Sequence, residues 1–218
     1  MVGDNVELSL LSEKPETEGI ELKGVINDIL PRKNSFIRPP IVNVDTFVIT
    51  FACTNPEPNF VLIDKFLIMA EMNNVDVIIL MNKCDLVSED VVKEYKSIYE
   101  NIYPVVEASG INGKGMDELK RLISGKRASF AGPSGVGKST IINSLIPEAE
   151  METGVISDKT KRGKHTTRHV EIFEAMGGGL VFDTPGFTSF EIMEANEDNL
   201  QDFYPEIERH KDKCYYDN

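Results

Sequence analysis

The stretch Gly132-Pro133-Ser134-Gly135-Val136-Gly137-Lys138-Ser139-Thr140 constrains this chain more than any other. It fills the pattern G-x-x-x-x-G-K-[ST] between an apolar run, Ala128 to Ala131, and a helical-looking Ile141-Ile142-Asn143-Ser144-Leu145. That strand, loop and helix context is the one in which the pattern works as a phosphate cradle. Its glycines let successive backbone N–H groups point inward at the α- and β-phosphates, and the dipole of the following helix adds positive potential. Lys138 is expected to reach the β- and γ-phosphates and to neutralise charge there, and the Ser139 hydroxyl to bind Mg²⁺.

The residues before the cradle alternate strand and helix. Thr46 to Phe51 and Val75 to Met81 are apolar runs of buried-strand length, and Tyr103-Pro104-Val105-Val106 is a shorter one. Asn59 to Met72 carries apolar residues at helical spacing, Ser88 with Glu89 and Asp90 opens a helix running to about Glu100, and Met116 to Ile123 forms another. Arg127 to Ala131 is the strand that feeds the cradle. Beyond it, Val170 to Glu174 and Gly179 to Asp183 flank Met176-Gly177-Gly178, which predicts an antiparallel hairpin at the sheet edge. The pattern predicts an α/β domain whose sheet is mostly parallel, with helices on both faces and one antiparallel edge strand. Residues 1–38 read as β, with strands from Val2 to Leu8 and Leu22 to Leu30, too few to close a barrel. Arg38-Pro39-Pro40 reads as an extended linker. The expected boundaries are thus 1–38, 39–190 and 191–218, the last a short helical extension.

Asn82-Lys83-Cys84-Asp85 follows the strand Val75 to Met81, at the end where parallel sheets bind ligands. Asp85 can accept hydrogen bonds from the N1–H and exocyclic amine of guanine, a donor pair that adenine lacks. Asn82 is expected to tie this turn to the phosphate loop and the Lys83 stem to cover the base, with Leu86 counted among the nucleotide-binding residues. Ser109 and Gly110, after the next strand, are expected to offer backbone N–H groups to the base. Asp183-Thr184-Pro185-Gly186 supplies the remaining element: Asp183 to hold a Mg²⁺-bound water and the Gly186 N–H to touch the γ-phosphate. Between cradle and hairpin, residues 159–168 carry five basic side chains, Lys159, Lys161, Arg162, Lys164 and Arg168, in an aperiodic polar run that reads as a switch segment. A threonine there should complete the Mg²⁺ shell, Thr167 in the first place and Thr166 in the second. Phe187 stands where many GTPases place a water-orienting glutamine, which leaves His165 as the best catalytic substitute in the sequence.

Ordinary Ras-like GTPases run phosphate loop, switch threonine, D-x-x-G, N-K-x-D; here N-K-x-D comes first. Circular permutation leaves the sheet unchanged, and it couples the D-x-x-G switch directly to whatever follows residue 186. With Gly163-Lys164-His165-Thr166-Thr167, Leu30-Pro31-Arg32-Lys33 and Arg38-Pro39-Pro40 added, the chain resembles the bacterial small-ribosomal-subunit-dependent GTPase A family over nearly its whole length. The resemblance implies a circularly permuted P-loop GTPase domain, a partial OB-like β segment before it and the start of a zinc module after it. It implies GTP hydrolysis in late maturation of the small subunit, with Mg²⁺, and with the small ribosomal subunit and its 16S rRNA as partners. It also favours a catalytic role for His165. Of the family's zinc ligands only Cys214, the first, has a counterpart here.

Charge sets conditions on the partner. A formal net charge of −13 argues against nucleic-acid binding through overall charge, so any RNA contact has to come from a local patch such as 159–168. No DNA partner and no membrane are expected, nor a disulfide framework from three dispersed cysteines; a monomer in a reducing cytoplasm is. The competing readings are a guanine-nucleotide-gated rRNA-binding module with negligible hydrolysis, and an ATPase or kinase.

Overall fold

The computed structural model describes residues 1–11, 23–37, 40–146, 149, 170–184, 195–196, 198–210 and 213. The chain divides into two compact units, Met1–Val44 and Asp45–Asn218.

In the first unit β1 (Val6–Leu10) pairs antiparallel with β2 (Gly24–Ile29), with a bulge between Glu7 and Leu8. The strand expected from Val2 starts later, and Val2 instead makes an isolated parallel bridge to Ile41. Asp4 is held well below the usual carboxylate range, at about 2, chiefly by the Arg32 guanidinium and also by the chain's own amino group. Arg38 and Pro39 of the expected linker lie outside the described residues, and the chain after Pro40 is held in place. Ile41, Val42 and Val44 are fully buried, and Phe36 N–H donates to Ile41 O at 2.8 Å. Asn43 and Asn34 explain why the segment is fixed. Asn43 Oδ1 accepts from Lys33 N at 2.8 Å, and Asn34 bonds the Val44 backbone through both ends of its amide, at 2.8 and 2.9 Å. Side-chain amides here take the hydrogen bonds that prolines withhold from a ladder.

The second unit is built on a six-stranded sheet in the order β5-β4-β3-β6-β8-β7. The strands are β3 (Thr46–Ala52), β4 (Asp76–Asn82), β5 (Val105–Glu107), β6 (Arg127–Ala131), β7 (Glu171–Ala175) and β8 (Gly179–Asp183). All neighbours run parallel except β7, which pairs antiparallel with β8 through the glycine turn at residues 176–178. Every residue of central β3 is buried, which explains its unbroken apolar run: side chains alternate faces, and both faces are covered. On one face Phe51 meets Phe60 of α1 (Phe60–Met72) and Tyr95 of α2 (Glu89–Tyr99) edge-on, with centroids 6.2 and 6.4 Å away. On the other, Val48, Phe130 and Val181 share a core with Leu119 of α3 (Met116–Ile123) and Ile142 of α4 (Lys138–Leu145).

Local signals place the helix ends. Asn59 caps α1, its side chain accepting from Leu62 N at 3.1 Å. Glu89 and Asp90 open α2, and α3 carries Asp117 and Glu118 in its first turn with Lys120 and Arg121 in its last, each charge matched to the helix dipole. A short helix α5 (Pro205–Glu208) has proline at its start, where the missing N–H costs nothing.

Candidate functional site: a guanine-nucleotide cradle

The loops that leave the C-terminal ends of β3, β4, β5, β6 and β8 gather on one side of the sheet. The phosphate loop leaves β6 at Gly132 and enters α4 at Gly137. Gly132 (φ 145°) passes so close to the Thr50 carbonyl that a Cβ would strike it. Gly137 (φ 96°) sits in the left-handed region against the Asn82 amide, where a Cβ would also collide. Both positions thus require glycine, and the loop between them is exposed at Ser134 and Gly135 while Val136 is buried as its anchor.

Lys138, the first residue of α4, is buried and curls over its own loop. Its Nζ donates to Gly132 O at 2.8 Å and Pro133 O at 2.9 Å. Burial pushes its pKa down to about 8, with the Asp183 carboxylate pulling the other way. Asp183, at the end of β8, is pushed up to about 6 by burial, opposed by Lys138 and reinforced by Glu171. An ammonium and a carboxyl that are both under-solvated in the same neighbourhood suit a site completed by a phosphate and a cation. Ser139 follows Lys138 in the first turn of α4 and is half-buried. Thr184, at a variable position of D-x-x-G, is buried and donates its hydroxyl to Phe130 O at 2.7 Å, tying the end of β8 to β6.

Asn82 links three loops. It is 3% exposed, its Nδ2 donates to Val136 O at 2.8 Å, and its Oδ1 accepts from Gly110 N at 3.1 Å. The turn after β4, the loop after β5 and the phosphate loop are therefore held by one amide with both ends satisfied. Lys83 takes a left-handed backbone (φ 61°), and its Nζ donates to Gly135 O at 2.9 Å and to Asn55 O. The lysine thus reaches across to the phosphate loop and to the loop after β3. Cys84–Leu86 forms a single 3₁₀ turn that leaves Asp85 and Leu86 exposed.

The loop after β5 departs from expectation. Its backbone N–H groups are already committed, Ala108 to Met81 O at 2.7 Å, Ser109 to Lys114 O at 3.1 Å and Gly110 to the Asn82 side chain. In this structure they hold the loop in place, and none of the three is offered to a base. Gly110 is also pressed on α4, where a Cβ would meet Ile141 and Thr140 side-chain carbons at 3.1 and 3.2 Å. Lys114 and Lys96 both pair with Glu107, at 3.1 and 3.0 Å, and hold its carboxyl below the usual range, Lys96 most strongly.

The structure therefore brings together Asn82, Lys83, Asp85, Leu86, Ser109, Gly110, the phosphate loop with Lys138, Ser139 and Thr140, and Asp183. His165, Thr166, Thr167, Gly186 and Cys214 lie outside the described residues, as does the basic run 159–168. Asn55 belongs to no motif and Thr184 fills a position where the motif accepts any residue, so no sequence signal marks either; only the fold brings their loops to the site.

The donor set fits Mg²⁺. A hydroxyl in the first turn of α4 and a half-buried carboxyl at the end of β8, the second acting through a bound water, are oxygen donors of the kind this ion takes alongside phosphate oxygens. Among the described residues no group of three or more His, Cys, Asp or Glu side chains is arranged to hold a metal. No helix among them is long and apolar enough to cross a membrane.

The family model described as RsgA GTPase matches residues 29–193. Small ribosomal subunit biogenesis GTPase RsgA of Alkaliphilus metalliredigens is 43% identical over 217 residues, covering 99% of this chain and 72% of that protein. The protein of the same name from Carboxydothermus hydrogenoformans is 45% identical over 197 residues, covering 90% and 68%. Among solved structures, YjeQ from Thermotoga maritima superposes with a TM-score of 0.76 at 34% identity, over 99% of this chain and 70% of its own. YloQ, a circularly permuted GTPase, gives 0.72 at 32%, over 99% and 67%. The six-stranded unit is a circularly permuted GTPase domain that takes GTP, GDP and Mg²⁺, and the chain belongs to the RsgA GTPase family.

Proposed function

We propose that this protein hydrolyses GTP to GDP and phosphate in the cradle formed by residues 132–140, and that it does so in late maturation of the small ribosomal subunit, stimulated by that subunit through its 16S rRNA. The observation that carries the reading is the Asn82 amide, which locks the Asn82-Lys83-Cys84-Asp85 turn to the phosphate loop at Val136 and so fixes a base-reading carboxylate at a set distance from a phosphate cradle.

In this reading the exposed Asp85 carboxylate accepts from guanine, with Leu86 beside it and Lys83 bracing the turn. Inner N–H groups of residues 132–140 surround the phosphates. Lys138 leaves the carbonyls of Gly132 and Pro133 for the β- and γ-phosphate oxygens, where its charge offsets the charge that develops as the γ-phosphoryl departs. Ser139 and Thr167 would hold Mg²⁺ directly and Asp183 through a bound water, and the ion would offset negative charge on the nucleotide's phosphates. Gly186 senses the γ-phosphate, and His165 orients the attacking water because Phe187 cannot. Residues 39–190 carry this chemistry, flanked by a partial OB-like segment (1–38) and a C-terminal region (191–218) in which Cys214 would be the first zinc ligand only with the full C-terminal module present. The protein acts as a cytoplasmic monomer.

The deciding experiment is GTP turnover with purified small subunits, with large subunits and with neither. Stimulation by small subunits alone is expected. Equal turnover in all three, or none in any, overturns the reading, and single-turnover kinetics then separates a slow hydrolase from a module that only binds.

A further inference from the structure

Cys53, directly after β3, and Cys84, inside the base-reading turn after β4, meet in space although 31 residues separate them. Their Sγ atoms are 3.6 Å apart. The backbones beneath them are locked side by side, because Cys53 N–H donates to Asn82 O at 2.8 Å and β3 pairs with β4 in register up to Ala52 and Asn82. A disulfide has an S–S length of about 2.05 Å, so closure needs an approach of roughly 1.5 Å between the two sulfurs. The thiols are also unequal. Cys53, as hydrogen-bond donor, holds the Cys84 thiol below the ordinary cysteine range, whereas the same contact and burial push Cys53 up. Cys84 is therefore the sulfur that ionises first and Cys53 the one that keeps its proton, the division that a nucleophilic and a resolving cysteine need. At 1% and 6% exposure neither is open to a bulky disulfide, which leaves a small oxidant such as peroxide as the reagent to consider.

We propose that Cys53 and Cys84 form a redox modification site at which hydrogen peroxide closes an intramolecular disulfide, and that closure loosens the guanine-reading turn. The Cys84 thiolate attacks one peroxide oxygen, breaking the O–O bond and leaving Cys84 as a sulfenic acid with hydroxide released. The Cys53 sulfur then displaces the sulfenic hydroxyl as water, its proton neutralising the site. In sum two thiols and one peroxide give one disulfide and two waters, the sulfurs being oxidised by two electrons and the peroxide reduced by two. Closure takes Cys84 Sγ away from Met81 O, to which it donates at 3.1 Å, and drags the residues on either side of it. Those are Lys83, which braces the turn on Gly135 and Asn55, and Asp85. This functional half of the inference rests on the guanine reading of Asp85 given above.

The test begins with GDP release from the reduced protein, followed with a fluorescent GDP analogue, and repeats it after peroxide and after dithiothreitol. Non-reducing peptide mapping runs in parallel, which separates a Cys53–Cys84 crosslink from any product of Cys214. A crosslink with release about tenfold faster is expected, because changes in affinity of this kind appear chiefly in the off-rate. Reductant should reverse both. Cys53→Ala, or Cys53→Ser should the smaller residue fail to fold, should bind GDP when reduced and, although Cys84 can still reach the sulfenic acid, should form no Cys53–Cys84 disulfide and keep slow GDP release. Failure of the reduced protein to bind guanine nucleotide would sink the guanine reading and the switch with it. With binding intact, the absence of a crosslink, unchanged release despite one, or an equal peroxide response in the Cys53 variants overturns the redox site alone.

Discussion

Burial pushes Lys138 down to about 8 and Asp183 up to about 6, so in the nucleotide-free protein both are charged, at a cost, between those values. The two act oppositely on stability. Between about 8 and 10.5 the unfolded chain holds the lysine proton that the folded chain has lost, so stability rises with pH through that window. Between 3.8 and about 6 the folded chain holds the Asp183 proton that the unfolded chain has lost, so stability falls as pH rises. Thermal melts of the nucleotide-free protein should therefore show the parent gaining on Lys138→Met from pH 8 upward, by up to roughly 3 kcal/mol in total. A difference that does not change with pH would show that burial of Lys138 carries no penalty. At Asp85 the prediction concerns identity of the base. Asp85→Asn should lose roughly 2–5 kcal/mol of GTP binding as a charge-assisted pair disappears, and gain xanthine nucleotide, whose C2 carbonyl accepts from the new amide. Titration with both nucleotides decides it, and unchanged GTP affinity would remove the guanine assignment.

At the scale of elements, the site depends on close approaches between loops. Gly137 carries two constraints, a left-handed backbone and contact with the Asn82 amide, whereas Gly113 (φ 80°) carries only the first, since a Cβ there would meet nothing within 4 Å. Gly113→Ala should cost about 1–2 kcal/mol of stability from backbone strain and leave nucleotide binding nearly unchanged. Gly137→Ala should show the same strain and in addition push the Asn82 side chain off Val136, weakening nucleotide binding by 10²-fold or more. Urea melts and nucleotide titrations on both variants separate strain from lost coupling, and equal nucleotide affinities would mean that the tie is not needed. Much of this element layer was legible in the sequence. Buried-strand runs marked β3 and β4, the glycine turn at 176–178 marked the β7–β8 hairpin, and the motif itself suggested that Asn82 ties the turn after β4 to the phosphate loop, as its bond to Val136 O does. Contacts whose partners lie outside any motif were not legible. The Lys83 bond to Asn55 and the meeting of Cys53 with Cys84 exist because β3 and β4 are neighbours, and no local pattern encodes which strands pair. The loop after β5 misled for a related reason: a tripeptide shows that N–H groups exist but not that Met81, Lys114 and Asn82 take them. The fixing of residues 41–44 was likewise not legible, because it depends on the side-chain amides of Asn34 and Asn43 rather than on any local pattern.

For the whole molecule, charge decides how an acidic protein with a formal net charge of −13 meets RNA. Lys159, Lys161, Arg162, Lys164 and Arg168 concentrate positive charge in one ten-residue run between the cradle and the β7–β8 hairpin in sequence. If GTP orders that run, the triphosphate state has already met the entropy cost of docking, and GDP returns it. Reversing Lys161 and Arg162 to Glu should therefore weaken sedimentation with small subunits in a GTP analogue, more at low than at high salt, while GDP and GTP affinity for the isolated protein stay within about threefold. Equal cosedimentation of the GDP and GTP-analogue forms, or no loss on charge reversal, would reduce the run to a solvated surface.

The strand order also has a consequence for how the chain is made. Central β3 is flanked by β4, which is synthesised soon after it, and by β6, whose last residue is Ala131, against Ala52 for β3. At 5–20 residues per second the ribosome needs roughly 4–16 s to cover that interval. During it, β3, β4 and β5 can pair, but the other edge of β3 has no partner, and an apolar strand with an open edge is a template for aggregation. In the unpermuted order the phosphate-loop strand precedes its neighbours and closes that edge earlier. The permutation thus leaves the half that carries β3, β4 and β5 waiting, edge exposed, for the strand that completes it. Arresting translation near residue 124 and again beyond residue 146 should show this as chaperone crosslinks to β3 in the shorter nascent chain that vanish in the longer one.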